Sequence, residues 1–489
     1  MMTKEQVADI FDRVHRFSAA DEVEVLFSGA RFALTRFANN TIHQNVEDEN
    51  CIASIRTNFG GRTARATTNQ FDDASLKRAV EGSESLARVQ EPDPDLLPMP
   101  DAREAGGADK SVPPHHANTG RAGDPGVRAT RFFEETAAIS PGERAEAVGR
   151  IVAVADKHRL TTAGIYSSSE SVEGIFNSRG LVGWHTQTLA EVSITMLGED
   201  SSGWQKLNSP DVRNLDPVQL AETAAGKAVE SAHPREIPAG KYTVILEPSA
   251  ALDIVGFMFW DFSGMAILDQ RSFLNDRIGT KLFGENINIW DDATHPLQAG
   301  SPFDGEGMWR QRVQLVEQGV VKRVVYARAT AAKMKKSEYA KKAGVIEATG
   351  HGFPLPNEMG EVPLNIVVGG AEKAQSVEQS AEHSIGQSVD EMIASTERGI
   401  LVTRLWYIRE VDPYEKIVTG MTRDGTFLIE NGKVQYGLRN FRFNQSLIAM
   451  LSNVEAMGTS VRACGEESFD MVVPAMKVKE FNFTEVTRF

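Results

Sequence analysis

Cysteine is scarce in this chain: Cys51 and Cys464 are the only two among 489 residues, and they stand in very different surroundings. A disulfide-stapled fold is thereby excluded, and a reducing compartment is expected. Positive charge is also short, with 52 Lys and Arg against 67 Asp and Glu and a formal net charge of -15. Binding along a phosphate backbone needs clustered cations, so no direct nucleic-acid partner is expected. The one notable basic cluster, KMKKSEYAKK from Lys333 to Lys342, reads as the solvated face of a short helix. No apolar run approaches the length of a bilayer, and the opening MMTKEQVADIFDRVHRF carries acids where a signal peptide would be apolar. No membrane partner is expected, and the expected location is cytoplasmic.

Familiar catalytic signatures are missing too. The ten histidines make no H-E-x-x-H match, there is no G-x-S-x-G elbow, and GGAEKAQS is not a phosphate-binding loop. What remains is an ordinary globular composition, 41% apolar and 24% charged, in a chain long enough for two or three cores.

Along the chain, helical spacing of Val7, Ile10, Phe11 and Val14 predicts a first helix. Alternating runs with Asn-Asn and Gly-Gly turns follow, and then a helix opened by Asp72. This is an α+β unit over residues 1–90. Residues 91–131 are rich in Pro, Gly, Ala and Asp and read as a long surface connection. A second part of the N-terminal domain spans 132–236, with Ser140 and Pro141 starting a helix and NSRG (177–180) turning a hairpin. The rest, 237–489, reads as mostly β and barrel-like. The expected fold class is therefore α+β, with helices layered on antiparallel sheets and a β-rich C-terminal domain. Two segments there, RQRVQLVEQGVVKRVVY and RDGTFLIENGKVQYGLRN, share a strand-turn-strand pattern that hints at internal duplication. Between them, a helical stretch is expected to end at Gly399.

Single residues offer little chemistry on their own. His115 and His116 lie in the Pro- and Gly-rich connection without a third ligand nearby, and they read as solvated. His43 and His185 fall in strand-like runs and read as structural. His351, in EATGHGFPLPNEMG, reads as a loop histidine held by hydrogen bonds or water, with a ligand role as the weaker alternative. Cys464, in SVRACGEESFD, reads as a small buried thiol.

Several segments taken together resemble the family that includes TldD and PmbA (also called TldE), proteins known as modulators of DNA gyrase and as a two-component zinc metallopeptidase. The blocks are RFANNTIHQNVEDENCIASIRTNFGGRTARATTN, GIFNSRGLVGWHTQT, RSFLNDRIGTKLFGENINIWDD, FDGEGMWRQRVQLVEQGVV and RGILVTRLWYIREVDPYEKIVTGMTRDGTFLIENGK, in the family's order. In the TldD-like branch, the helix after the first C-terminal strand carries His-Glu-x-x-x-His, and a late Cys joins the two His on zinc. Here the resemblance sets LDIVGF at that place: Leu252 and Phe257 stand for the two His, Asp253 for the Glu base, and Cys464 for the ligand Cys. The resemblance thus implies the PmbA-like branch: no catalytic residues and no metal in this chain, with Cys464 a residual ligand candidate and His351 a weak one.

Its implied partner is a TldD-like catalytic subunit carrying zinc, and its implied substrate an unfolded peptide. The alternatives are an active metallopeptidase with a non-standard site and a homodimeric peptide-binding protein. The stretch from Leu252 to Trp260 is expected to pack on nearly all sides.

Overall fold

The protein is described by a computed structural model covering residues 1–106, 131–370 and 386–487. His115 and His116 lie outside the described residues. Among the described residues no helix is long and apolar enough to cross a membrane.

Six antiparallel strands build the first sheet: β1 (Glu22–Ala38), β2 (Thr41–Phe59), β3 (Arg62–Thr68), β4 (Thr161–Asn177), β5 (Val182–Leu197) and β6 (Ser202–Ser209). Their order is β3-β2-β1-β4-β5-β6. The β1–β4 pairing, with Phe27 opposite Gly174, joins the strands before and after residues 91–131 into one sheet. Helices Lys4–Phe17 and Asp73–Val89 cover the first half, burying Ile10, Val14, Leu76 and Val80 against Val25 and Ile55. Helices Pro141–His158 and Pro217–Glu230 cover the second half, with Val148, Ile151 and Leu220 against Val192 and Ile194.

Each helix starts where its sequence supplies a cap. Thr3 and Ser140 form capping boxes with Gln6 and Glu143, while the carboxylates of Asp72 and Asp216 accept from first-turn N–H groups. The connection is not a free surface loop throughout: Met99 and Ala105 are buried, and Asn177 donates to the Pro100 carbonyl at 2.9 Å.

The C-terminal part adds β7 (Gly240–Leu246), β8 (Asn288–Asp291), β9 (Val313–Glu317), β10 (Val320–Val321), β11 (Ile366–Gly369), β12 (Arg398–Asp412) and β13 (Ile417–Glu430). It ends with β14 (Lys433–Gly437), β15 (Phe441–Ser446), β16 (Val454–Met457), β17 (Val461–Ala463), β18 (Met471–Val473) and β19 (Met476–Val486). One sheet runs β10-β9-β8-β11-β18-β17. The other runs β12-β7-β19-β15-β13-β14, and because β12 also pairs β13, its ladder returns on itself through β7, β12, β13, β15 and β19. Between the two sheets lies the largest apolar core, which holds Leu252, Phe259, Ile289, Val402 and Phe443.

Two sequence expectations meet the structure here. The similar hairpins do turn on left-handed residues, Gln318-Gly319 and Asn431-Gly432, but the first lies in one C-terminal sheet and the second in the other. In both turns a polar residue and then a Gly hold positive φ. The helical stretch before β12 is only Val389–Ala394 among the described residues, capped by Ser395, and Gly399 is already in β12 beside Thr243 of β7.

Candidate functional site

Strand β7 feeds directly into helix Pro248–Val255, with Pro248 at a first-turn position where its missing N–H costs nothing. All of Ala250 to Val255 is buried. At Gly256 the helix tightens into a 3-10 turn, Gly256–Asp261. The expected all-round packing fails past this point. Phe257 is only half-buried and Trp260 is 49% exposed, because the tighter turn rotates them out of the core.

The loop between β17 and β18 lies across this helix, and two glycines permit the approach. A Cβ at Gly465 would fall on Asp253 Oδ1 and Leu252 Cδ2, and one at Gly256 would fall on the Ser468 side chain. The structure thus brings the Cys464 loop onto Leu252 and Asp253, two residues some 200 positions earlier in the chain.

Asp253 Oδ1 accepts the backbone N–H of Glu466 (3.1 Å) and Glu467 (3.0 Å), while Oδ2 is buried without a hydrogen-bond partner. Burial pushes this carboxyl up to about 7, against the pull of those two N–H groups and of Arg404. Glu467 continues the chain of contacts. Its carboxylate accepts from the N–H of Tyr407 (2.8 Å) and Ile408 (3.2 Å), where β12 breaks register and Tyr407 holds φ 56°. Cys464 is fully buried, and burial raises its thiol well above the ordinary range, with Asp470 adding to the rise.

These side chains do not fit a zinc ion. Leu252 and Phe257 have no lone pairs, which leaves the buried Cys464 thiol without the imidazole ligands it would need, and Asp253 Oδ1 is committed to the loop backbone. Among the described residues, no group of three His, Cys, Asp or Glu side chains is placed to hold a metal.

Beside the 3-10 turn opens a cleft of about 710 Å³. Phe257, Trp260, Tyr414 and Phe469 give it aromatic walls. At its edge the Lys416 ammonium is held between the carboxylates of Asp261 and Glu410. Burial raises Asp261 even though Lys416 opposes it. Sequence reasoning missed this ion group and the cleft. One signal was available: Asp261 interrupts the apolar run FMFWDFSG, and a charge there needs a partner from elsewhere in the fold.

His351 occupies a separate buried cluster. Its Nε2 lies 2.9 Å from Asp291 Oδ1, and its Nδ1 is 3.0 Å from Thr349 Oγ1. Burial alone would push Asp291 up, but the His351 ring and Arg310 outweigh it and hold the carboxyl below its usual range. Next to it, Asp304 accepts backbone N–H groups from Glu306 (2.9 Å), Met308 (2.9 Å) and Gly352 (2.7 Å). Glu306 is pushed up to about 7, first by burial and then by Asp304. Arg328 sits beside it and also ties Glu104 and the Pro98 carbonyl to the C-terminal domain. Of the strand histidines, His43 is exposed in β2 and His185 is buried in β5.

Comparison with known proteins places this geometry. The chain matches the PmbA/TldA metallopeptidase domain 1 over residues 23–87, the central domain over 132–232 and the C-terminal domain over 239–485. It is 22% identical over 435 residues to "Metalloprotease PmbA" of Escherichia coli O157:H7, covering 85% of this chain and 83% of that one. Its structure is similar to that of TldE from Thermococcus kodakarensis, with a TM-score of 0.78 at 19% identity over 98% and 99% of the two chains. A Thermotoga maritima protein described as a candidate modulator of a DNA gyrase superposes with a TM-score of 0.77 at 18% identity, over 98% and 100%. With all three domain matches in order, and the C-terminal one alone covering half the chain, the protein belongs to the PmbA/TldA metallopeptidase family.

Proposed function

We propose that this chain is the metal-free, non-catalytic subunit of a cytoplasmic TldD/TldE-type metalloprotease. In this reading it pairs with a TldD-like chain that carries the zinc, and it helps to present an unfolded peptide for cleavage. The observation that carries the proposal is the filled motif position. Leu252 is buried in the main core, Asp253 is spent on the backbone of Glu466 and Glu467, and Cys464 is buried as a thiol. A hydrolytic zinc site needs three ligands and an open position for water, and this packing supplies neither. The cleft beside the motif helix supports the peptide part of the reading, because it is open, aromatic and of a size typical of ligand sites.

The test is affinity purification of the tagged chain from its source cell, followed by mass spectrometry. A TldD-like protein bearing His-Glu-x-x-x-His is expected in near-stoichiometric amount. Repeated recovery of the chain alone, as a homodimer or monomer, would overturn the subunit role.

A further inference from the structure

We infer that the cleft beside the motif helix selects a cationic side chain, Lys or Arg, of an extended peptide and lays it against Trp260 and Tyr414. The inference rests on the peptide-presenting role proposed above only for the nature of the occupant. The selectivity is argued from the cleft itself.

Its aromatic walls are unusual for their exposure. Trp260 is 49% and Tyr414 is 53% exposed, and among the described Phe, Tyr and Trp residues only Phe32 and Tyr407 are comparably exposed. Both are held in place rather than loose. Trp260 stacks on Phe353 with centroids 6.3 Å apart and planes at 15°, and it lines the cleft. The Tyr414 hydroxyl donates to the Gln270 carbonyl at 3.0 Å, which tethers the ring while the residue stays 53% exposed. Pre-positioned ring faces attract a cation through their quadrupole, and Trp does so best.

The charges agree in sign. The cleft is lined by three carboxylates, Asp261, Glu410 and Glu467, and two cations, Arg271 and Lys416. Both cations are already paired: Lys416 lies between Asp261 and Glu410, and Arg271 reaches Asp269 at 3.3 Å. An acidic side chain entering the cleft would have to break one of these pairs. A basic one meets net negative charge, because the single Lys416 ammonium serves both Asp261 and Glu410, while Glu467 is already matched by Arg409 at 3.4 Å; Glu410 is the most accessible of the three carboxylates at 37% side-chain exposure. The aliphatic stem of Lys or Arg suits the Phe257 and Phe469 walls while its charge remains near Glu410.

The test uses the purified full-length chain and three unstructured peptides of equal length that differ at one central residue, Lys, Ala or Glu. Binding is measured by titration calorimetry and, independently, by the change in tryptophan fluorescence, which Trp260→Phe should largely abolish. The Lys peptide is expected to bind about 10-fold more tightly than the Ala peptide, the scale of one cation–π contact with a nearby carboxylate. The Glu peptide should bind more weakly than either. Tyr414→Ala and Glu410→Gln should each lower the Lys peptide's affinity about 3- to 10-fold and bring it toward the Ala value. Both positions are solvent-facing, and matching thermal melts would show that the variants fold.

Equal affinity for the three peptides, or an unchanged preference in Tyr414→Ala, would overturn the inference. The subunit role is measured separately, by co-elution with a TldD-like chain. Co-elution with no charge preference rejects the cleft assignment alone, and charge preference without co-elution rejects the subunit role alone.

Discussion

At helix Pro248–Val255 the backbone brings a motif helix and a cysteine loop together, but the side chains are not ligands. Around His351 the side chains are of metal-binding types, and Asp291, Thr349, Gly352 and Arg328 already occupy them. The first region combines close backbone approach with apolar packing and one buried carboxylate. The second puts polar side chains to structural use, tying residues 98–104 of the N-terminal side to the C-terminal domain. Residue type alone would select the wrong region, because what a buried His or Asp can do depends on which partners already hold it.

The contrast can be broken most severely in the second region. Asp304→Ala would leave three buried N–H groups without an acceptor and Arg310 without its neighbouring charge, at a cost of about 3–5 kcal/mol. Chemical denaturation should show the loss as a lower midpoint with an unchanged slope.

Placing two imidazoles at the positions that the resemblance sets for zinc ligands comes next. Leu252→His with Phe257→His should destabilise by about 2–4 kcal/mol, because a polar ring replaces a buried Leu in the main core. It should bring neither stoichiometric zinc by elemental analysis nor peptide hydrolysis. The partners that orient metal-bound imidazoles are not supplied by the change.

Gly465→Ala should cost about 1–3 kcal/mol by overpacking against Leu252 and Asp253, and the loop should move off the helix. Exchange of the Glu466 and Glu467 amides should then be faster, which separates this effect from general loosening.

The smallest effect is a pH dependence. In the fold, Asp253 keeps its proton up to about pH 7, while the unfolded chain releases it at about pH 4. The folded state therefore holds the extra proton in that window and loses stability as the pH rises through it. Asp253→Asn retains the Oδ1 acceptor and removes the titration. It should match the parent near pH 4 and exceed it by about 1–2 kcal/mol at pH 8, well below the ceiling set by the full shift. Thermal melts across that range read the difference directly. Glu306, also pushed up to about 7, contributes a drop of the same sign in both proteins and cancels in the comparison.

Much of the local structure was legible in the sequence, because local chemistry decides it. Asp72 and Ser140 mark helix starts, and Asn431-Gly432 turns a hairpin. The motif helix and the cysteine loop could be brought together only through resemblance, since nothing near Leu252 in sequence points to Gly465. The pairings of β7 with β12 and of His351 with Asp291 link distant segments through burial and register rather than any local pattern. The cleft was hidden for the same reason. It draws on the turn after Gly256, on Arg271, on the tip between β12 and β13 and on the loop after Cys464, and the turn that exposes Trp260 reads as continuous helix in its apolar spacing.

The most direct measurement is of zinc content and peptide hydrolysis, made on the purified chain alone and again after mixing with a TldD-like chain bearing His-Glu-x-x-x-His. The account predicts no stoichiometric zinc and no hydrolysis from this chain alone, and chelator-sensitive hydrolysis from the mixture. Stoichiometric zinc with chelator-sensitive hydrolysis in the chain alone would contradict it.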